Sequence, residues 1–516
     1  MEASDHNDGE IFRQRSGDHL PPLPPDDALP QGGRGGKGPD AAQVLVTMAE
    51  ENYRFIRADD GRTYGVPKDG PNIAVPLASK GEGGLRAKLA TSLWRRSGQV
   101  ASSAALSDCV NVLEGEAGEK DPEPVFLRMG RLHDPELGDA VVVDMGTETG
   151  QAIVITADGW RIEAKSPVVF RRSTLLHPLV EPVRGGSLEA LRALINLTED
   201  DYRLAIGWVV AAFFLDIPHP ILFVQGEQGT AKSTLVRTLL ALCDPQPAAD
   251  RETPAGSREW AIFARASWAF SFDNLTEIPD WFSNSLCKGV TGDSVLQRAL
   301  HSDEDIVVFS FQRVMAITTI GIKHALAGDL VDRMLLVEPE VLDTRLPESE
   351  IRAAREAALP EALGAILDLV CGTLAHLPDV QVDNLPRMAD FARVLAALDA
   401  HTGWRTLTTY RERIVAMGAS LIEGDVFAQS LYRLAHRPHP GGPPPGPWEG
   451  STADLLADLQ KICIQSGMAA AELPKDVRTA GQKLTEIAPS LRKVGVDIRR
   501  RKSGSKRLIS VDKLTS

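Results

Sequence analysis

Cysteine is scarce and scattered: Cys109, Cys243, Cys287, Cys371 and Cys463 are the only five in 516 residues, and no two form a C-x-x-C pair. That spacing suggests neither a zinc cluster nor a disulfide framework, and it fits a reducing, cytoplasmic setting. Long hydrophobic runs are missing as well. The most apolar stretch, Ala205 to Leu215, is only about half of the roughly 20 residues a membrane helix needs. Asp216, Pro218 and Pro220 follow it at once, so it reads as a buried helix and no membrane partner is expected. The first residues, with Glu2, Asp5, Asp8 and Glu10, lack the cationic start and apolar core of a signal peptide. Positive charge is in deficit too, with 56 Lys and Arg against 70 Asp and Glu and a net charge of −14. The chain as a whole should repel a polyanion, so any nucleic-acid contact has to be local.

What is present is length enough for two or three domains. Residues 1–40, with "LPPLPPDDALPQGGRGGKGPD", are rich in Pro, Gly and charge and read as a disordered tail. In 41–180 short apolar runs such as "AVVVDMG", "QAIVITA" and "SPVVFRR" predict a mixed α/β domain with a strand-rich second half. Asp144 stands alone after its strand, without the paired acidic residues a metal-dependent primase would need. Residues 181–345 predict an α/β nucleotide-binding core, and 346–435 a helical region. The run "HRPHPGGPPPGPWEG" makes 436–450 a stiff linker, and 451–516 predicts two helices and a hairpin, the pattern of a winged helix.

Chemistry concentrates at "ILFVQGEQGTAKSTLVRT". A strand leads into a glycine-rich loop that opens a helix, the context in which backbone N–H groups and a helix N-terminus receive phosphates. The loop residues are Gly226, Glu227, Gln228, Gly229, Thr230, Ala231, Lys232, Ser233 and Thr234. Lys232 is suited to neutralise phosphate charge and Ser233 to hold Mg²⁺. Ala231 stands where G-x-x-x-x-G-K-[ST] has its second glycine. At a helix start φ is expected to be negative, so a methyl group there should cost little. Downstream, "WAFSFDNL" predicts a strand ending in Asp273, placed to assist the metal. Asn274 follows where a water-activating Glu is usual, leaving the general base unassigned unless Glu277 serves.

The series "GEQGTAKST", "FSFDNL", "CKGVTGDSVLQRAL", "RVMAITTIGI" and "GDLVDRML", over about 220–341, resembles the superfamily 3 helicase-like AAA+ ATPase domain found at the C-terminus of phage and plasmid primase-helicases. "ITADGW" followed by "VVFRR" looks like the N-terminal part of bacterial mobile-element members, so the resemblance covers most of 120–516. It implies an α/β fold with a P-loop AAA+ core, a strand-rich N-terminal domain and a C-terminal winged helix. It also implies ATP and Mg²⁺ as cofactors and an ATP-hydrolysing motor in replication of a phage, plasmid or integrated element. Its partners would be single-stranded or forked DNA, copies of itself in a ring, and a separate primase or initiator. Carried onto this chain, Lys232, Ser233 and Asp273 form the nucleotide and metal site, and Thr319 takes a sensor position where the family has Asn. Arg333 would be an arginine finger reaching a neighbouring subunit, or else an intradomain partner of Asp329 or Asp332. Lys288, Arg298 and His301 would serve a DNA-gripping hairpin, although "SDED" at its tip is acidic and would repel phosphate.

Between Lys475 and Lys513 there are 12 basic and 4 acidic residues, so the positive charge the chain lacks overall is collected at one end. Arg499, Arg500, Arg501, Lys502, Lys506 and Arg507 in "RRRKSGSKR" are candidates for phosphate contact. No aromatic residue is interleaved, so base stacking is not expected. Two rivals stand beside the motor: an ATP-binding regulatory or loading module that does not unwind, and a non-enzymatic winged-helix DNA-binding protein.

Overall fold

Short runs of β-branched and aromatic residues become strands, and longer periodic stretches become helices. The computed structural model describes residues 40–516 apart from 79–80, 82, 135–137, 248, 299–305, 323–325, 343, 438–446, 504–505 and 515–516. The proposed tail and most of the proposed Pro-rich linker thus lie outside the described residues. Two compact units divide the chain, Met1–Arg57 with Arg62–Glu123, and Ala58–Gly61 with Pro124–Ser516.

In the first unit, α1 (Ala41–Asn52) precedes the antiparallel strands β1 (Tyr53–Ala58), β2 (Thr63–Pro67) and β3 (Ile73–Pro76). Helices α2 (Leu85–Ser97) and α3 (Ser103–Gly118) follow, then the short β4 (Pro122–Glu123) beside β1. Leu45, Leu85, Leu89, Cys109 and Leu113 share its core, the leucines recurring at helical spacing. Ser102 caps α3 by accepting from Ala105 N.

The second unit begins with β5 (Val125–Phe126), then an antiparallel meander, β6 (Met129–Asp134), β7 (Gly138–Asp144), β8 (Ala152–Thr156) and β9 (Gly159–Glu163), and then β10 (Val169–Arg171), which pairs with β5. Next come α4 (Glu189–Arg192), α5 (Glu199–Ala211), β11 (Ile221–Gln225), α6 (Lys232–Ala241), β12 (Asp250–Arg251), α7 (Ser257–Ala266), β13 (Ala269–Phe272) and α8 (Asp280–Thr291). The hairpin β14 (Asp293–Arg298) and β15 (Ile306–Phe311) is followed by β16 (Val314–Thr319), α9 (Gly328–Val331) and β17 (Met334–Val337). Helices α10 (Glu348–His376), α11 (Ala389–Thr402), α12 (Thr406–Glu423) and α13 (Val426–Ala435) complete the helical region. The chain ends with β18 (Trp448–Gly450), α14 (Thr452–Gln465), α15 (Val477–Lys493), β19 (Val496–Ser503) and β20 (Lys506–Lys513).

The central sheet has the order β12-β13-β16-β11-β17, with every pairing parallel. Its strands read "ILFV", "AFSF", "VMAITT" and "MLLV" and are buried almost throughout, as strands covered on both faces must be. Trp208 and Phe213, in and just after α5, join the same core with no exposure, as expected of the Ala205–Leu215 run. Helix α10 is long and apolar enough to cross a membrane by length and composition alone. It is instead a core helix: Ala362, Leu363, Ile366, Leu367 and Val370 are buried in the main cluster. Pro360 lies inside it, and its carbonyl accepts from Val183 N at 3.0 Å. One turn on, Gly364 lies so close to this crossing segment that a Cβ would meet Val183 O at 1.7 Å.

Residues 124–180, which the sequence reading grouped with the N-terminal domain, count with the larger unit. Period-2 alternation explains why. Val143, Ile153 and Ile155 face the main core, while Val142, Val154 and Phe170 form a smaller cluster on the other face. Trp160 also donates to Asp368 of α10 at 2.8 Å. At the seam, Arg128 is fully buried and donates to Asp244 at 2.8 Å, while Asp244 accepts from the backbone of Trp268 and Ala269. Asp144 is buried and held by Arg172, so this lone carboxylate is a structural partner.

Candidate functional site

Strands β11 and β13 end side by side with β16 between them, so Gly226 and Asp273 emerge at the same edge of the sheet. Gly226 continues the ladder, donating to Thr319 O at 3.2 Å, and the chain then turns through Glu227, Gln228 and Gly229. Gly229 has φ +86°, a conformation that glycine adopts without steric cost. Thr230 is buried and its hydroxyl donates to Glu227 O at 3.0 Å, closing the loop.

Ala231 departs from the sequence expectation. It is the N-cap of α6 with φ +55° and ψ +31°, in the left-handed region. The backbone keeps the geometry that the usual second glycine would supply, and the methyl group costs on the order of 1 kcal/mol of local strain. Lys232 is only 8 % exposed, and its amine donates to Gly226 O at 2.9 Å and Glu227 O at 2.7 Å. Burial lowers its pKa, against a smaller opposing effect of the Asp273 carboxylate. A third N–H direction of the ammonium group is left for an anion. Ser233 donates from Oγ to Asp273 Oδ1 at 2.7 Å, and Thr234 follows half-buried on α6.

Sequence reasoning missed Thr318. Its hydroxyl donates to the same Asp273 Oδ1 at 2.5 Å and accepts from Asn274 N at 2.8 Å. Thr319, the expected sensor, is fully buried, and its hydroxyl donates to Leu275 O at 2.7 Å and accepts from Gly321 N at 2.9 Å. Alternation on a strand puts neighbours on opposite faces, so of two adjacent threonines only one meets Asp273. Asn274 has φ +53°, which Asn tolerates better than most side chains, and it is exposed. A Glu in its place would carry more strain. Glu277 is exposed on the loop before α8.

The donor set suits Mg²⁺. The metal prefers one or two carboxylates, a hydroxyl and phosphate or water oxygens to an all-protein cage. Asp273 and Ser233 offer that minimum side by side. Among the described residues no group of three or more His, Cys, Asp or Glu forms an alternative metal site.

Arg333, the expected finger, forms the intradomain pair that was its alternative. It is 8 % exposed, and its Nη1 bonds Asp329 Oδ1 at 2.6 Å and Asp329 O at 2.8 Å. The i,i+4 spacing across α9 and the following turn makes this pair, and Arg387 also reaches Asp329 at 2.9 Å. The intrachain bonds engage Nη1, while the buried Nε has no hydrogen-bond partner among the described residues.

The candidate DNA contacts divide. Lys288 lies in the last turn of α8, off the hairpin, while Arg298 ends β14 opposite Ile306. His301 and the acidic "SDED" tip lie outside the described residues. At the C-terminus, α14, α15 and the sheet β18-β20-β19 enclose Trp448, Leu455, Leu484 and Val511. Ser451 and Asp454 form a reciprocal cap at the start of α14. On the β19–β20 hairpin Arg499 bonds Asp497 at 2.6 Å, Arg500 donates to Gly481 O at 2.5 Å and Arg501 bonds Glu449 at 2.8 Å. Lys502 is exposed, and Lys506 and Arg507 continue the hairpin on β20. Exposed pairs of this kind are worth roughly 0–1 kcal/mol, so phosphates can displace them. Helix α15 also docks on α9: Lys493 pairs with Asp332, and Gly328 lies against Glu486 O and Ser490.

These features define a mixed α/β protein with a glycine-rich loop and a carboxylate at one edge of a parallel sheet. Residues 188–418 match the family of the actinomycete integrative conjugative element (AICE) replication protein, and residues 427–516 match the AICE RepA C-terminal domain. Over those residues the chain is similar to the AICE replication proteins, a likeness that supports a replication-associated role. No curated protein matches the chain at a significant level. Among solved structures, the apo C-terminal region of NrS-1 is similar at 10 % identity with a TM-score of 0.38, over 92 % of this chain and 100 % of that one. A structure described as SCCmec type IV Cch, active helicase, is similar at 10 % identity with a TM-score of 0.44, over 90 % and 93 %. With scores this low, neither likeness decides the fold or the activity.

Proposed function

We propose that the chain is an ATP-dependent, helicase-like motor that acts on DNA during replication of an integrative element. Its core is of the P-loop AAA+ type, closest in pattern to superfamily 3, with residues 451–516 as a winged-helix DNA anchor and ring assembly as the working state. The observation that carries this reading is the joint position of Lys232, Ser233 and Asp273, with Ser233 Oγ 2.7 Å from the carboxylate. In this reading loop residues 226–234 hold the phosphates of ATP and Lys232 neutralises their charge. Ser233 and Asp273 hold Mg²⁺, which offsets charge building on the transferred phosphoryl oxygens. Thr318 fixes the carboxylate's orientation. The replication-protein matches support DNA as partner, and the exposed hairpin cations support a backbone contact. A separate primase or initiator would complete the assembly, in the cytoplasm where the element replicates.

A second reading keeps ATP binding but uses it to set assembly state without unwinding; Asn274, in place of a water-activating carboxylate, favours it. Strand displacement on a forked duplex separates the two. The motor predicts ATP-dependent release of a labelled strand that Lys232→Ala abolishes. ATP-dependent assembly on the fork without release would move the conclusion to the second reading.

A further inference from the structure

The segment that follows β17 runs back over the glycine-rich loop. A methyl group on Gly226 would meet Pro339 Cδ at 3.6 Å, and one on Gly229 would come within 2.3 Å of Arg345 Nη2. Asn196 ties segment and loop together: its Nδ2 donates to Thr230 O at 3.0 Å and to Glu340 O at 2.7 Å, and its backbone oxygen accepts from Glu340 N at 2.8 Å. The segment is thus anchored at Glu340, and Arg345, just ahead of α10, lies against the exposed crest of the loop at Gly229.

The two cations of this region are held in different ways. Lys232 is buried and already donates to two loop carbonyls. Arg345 is exposed, and among the hydrogen bonds and ion pairs of the described residues none engages its guanidinium. A guanidinium stays charged at any physiological pH and presents five N–H donors in a plane, a shape matched to phosphate oxygens. Gly229, which lies against it, makes room by lacking a side chain.

We propose that Arg345 is a polyphosphate-binding residue of the same subunit, set against the loop at Gly229. The ligand class is a nucleoside di- or triphosphate, and the proposal rests on the reading of the loop given above. Asn196 is the positioning residue that holds the Arg345 segment in register. Gly229 serves the site twice, by adopting positive φ and by leaving the space the guanidinium fills.

The test is calorimetric titration of the full chain with ATP, ADP and inorganic tripolyphosphate, comparing wild type, Arg345→Ala, Arg345→Lys and Lys232→Ala. Arg345→Ala is expected to weaken all three ligands about tenfold or more, the scale of one charge-assisted hydrogen bond. Arg345→Lys should fall between, since it keeps the charge and loses the planar fork. Because Arg345 is exposed, the thermal midpoint should stay at the wild-type value. Wild-type affinity in Arg345→Ala together with loss in Lys232→Ala would overturn the role of Arg345 and leave the loop reading intact. Wild-type affinity in both variants would overturn the loop reading itself.

Discussion

The glycine-rich loop and the C-terminal hairpin both offer positive charge to phosphate, and they hold it in opposite ways. At the loop one lysine is buried, bonded to carbonyls and set beside a carboxylate. At the hairpin several cations stand in water, each resting on a weak local partner. The first arrangement is prepared for one ligand geometry; the second can slide along any backbone. Under the proposed function, position would carry the binding energy in one region and number in the other.

The largest expected effect breaks the first region alone. Lys232→Ala should lower ATP affinity by about a hundredfold or more, since it removes a buried charge and its hydrogen bonds, while DNA affinity stays unchanged. Parallel calorimetry with ATP and fluorescence anisotropy with DNA checks this. Breaking the hairpin should do the converse. Neutralising Arg499, Arg500 and Arg501 together should reduce the slope of log affinity for DNA against log salt, with ATP affinity retained. The reduction should be up to about 0.9 for each phosphate that the protein no longer neutralises. An unchanged slope would send the DNA-binding surface elsewhere.

pH sharpens the comparison more gently. The pKa of Lys232 is lowered by burial, so its amine loses its proton at a lower pH than an ordinary lysine. ATP affinity should therefore fall on the alkaline side earlier than DNA affinity, which rests on exposed arginines. Stability of the ligand-free protein should move the other way. Between the lowered and ordinary values the unfolded chain binds more protons than the folded one, so this residue's contribution to stability rises with pH. The smallest effect is expected at Ala231. Ala231→Gly should raise stability by about 1 kcal/mol through relief of left-handed strain, read as a higher denaturation midpoint.

The strand, loop and helix around Gly226 to Ala241 were legible because their signals are local: an apolar run, glycines, then helical periodicity. So was the hairpin β14–β15. The error at Ala231 has a specific cause. Alanine by itself prefers negative φ, whereas closure of the loop decides the conformation here, and only backbone geometry reveals that. Thr318 and Thr319 are alike in sequence, and strand phase alone says which one meets Asp273. Arg333 matches the family pattern for a finger, while Asp329 four residues before it, its side chain largely exposed, gives the intrachain pair actually formed. Arg345 carried no signal, because its relation to Gly229 crosses more than a hundred residues of chain. The grouping of 124–180 with the larger unit was not legible for a similar reason: the second face of the meander meets a partner helix far along the chain.

The most direct test of the central claim is ATP turnover by the full chain with and without single-stranded DNA, with Lys232→Ala as the blank. The account predicts turnover that DNA stimulates and that the variant lacks. Turnover that survives in Lys232→Ala, or no turnover in the wild type under either condition, would contradict it.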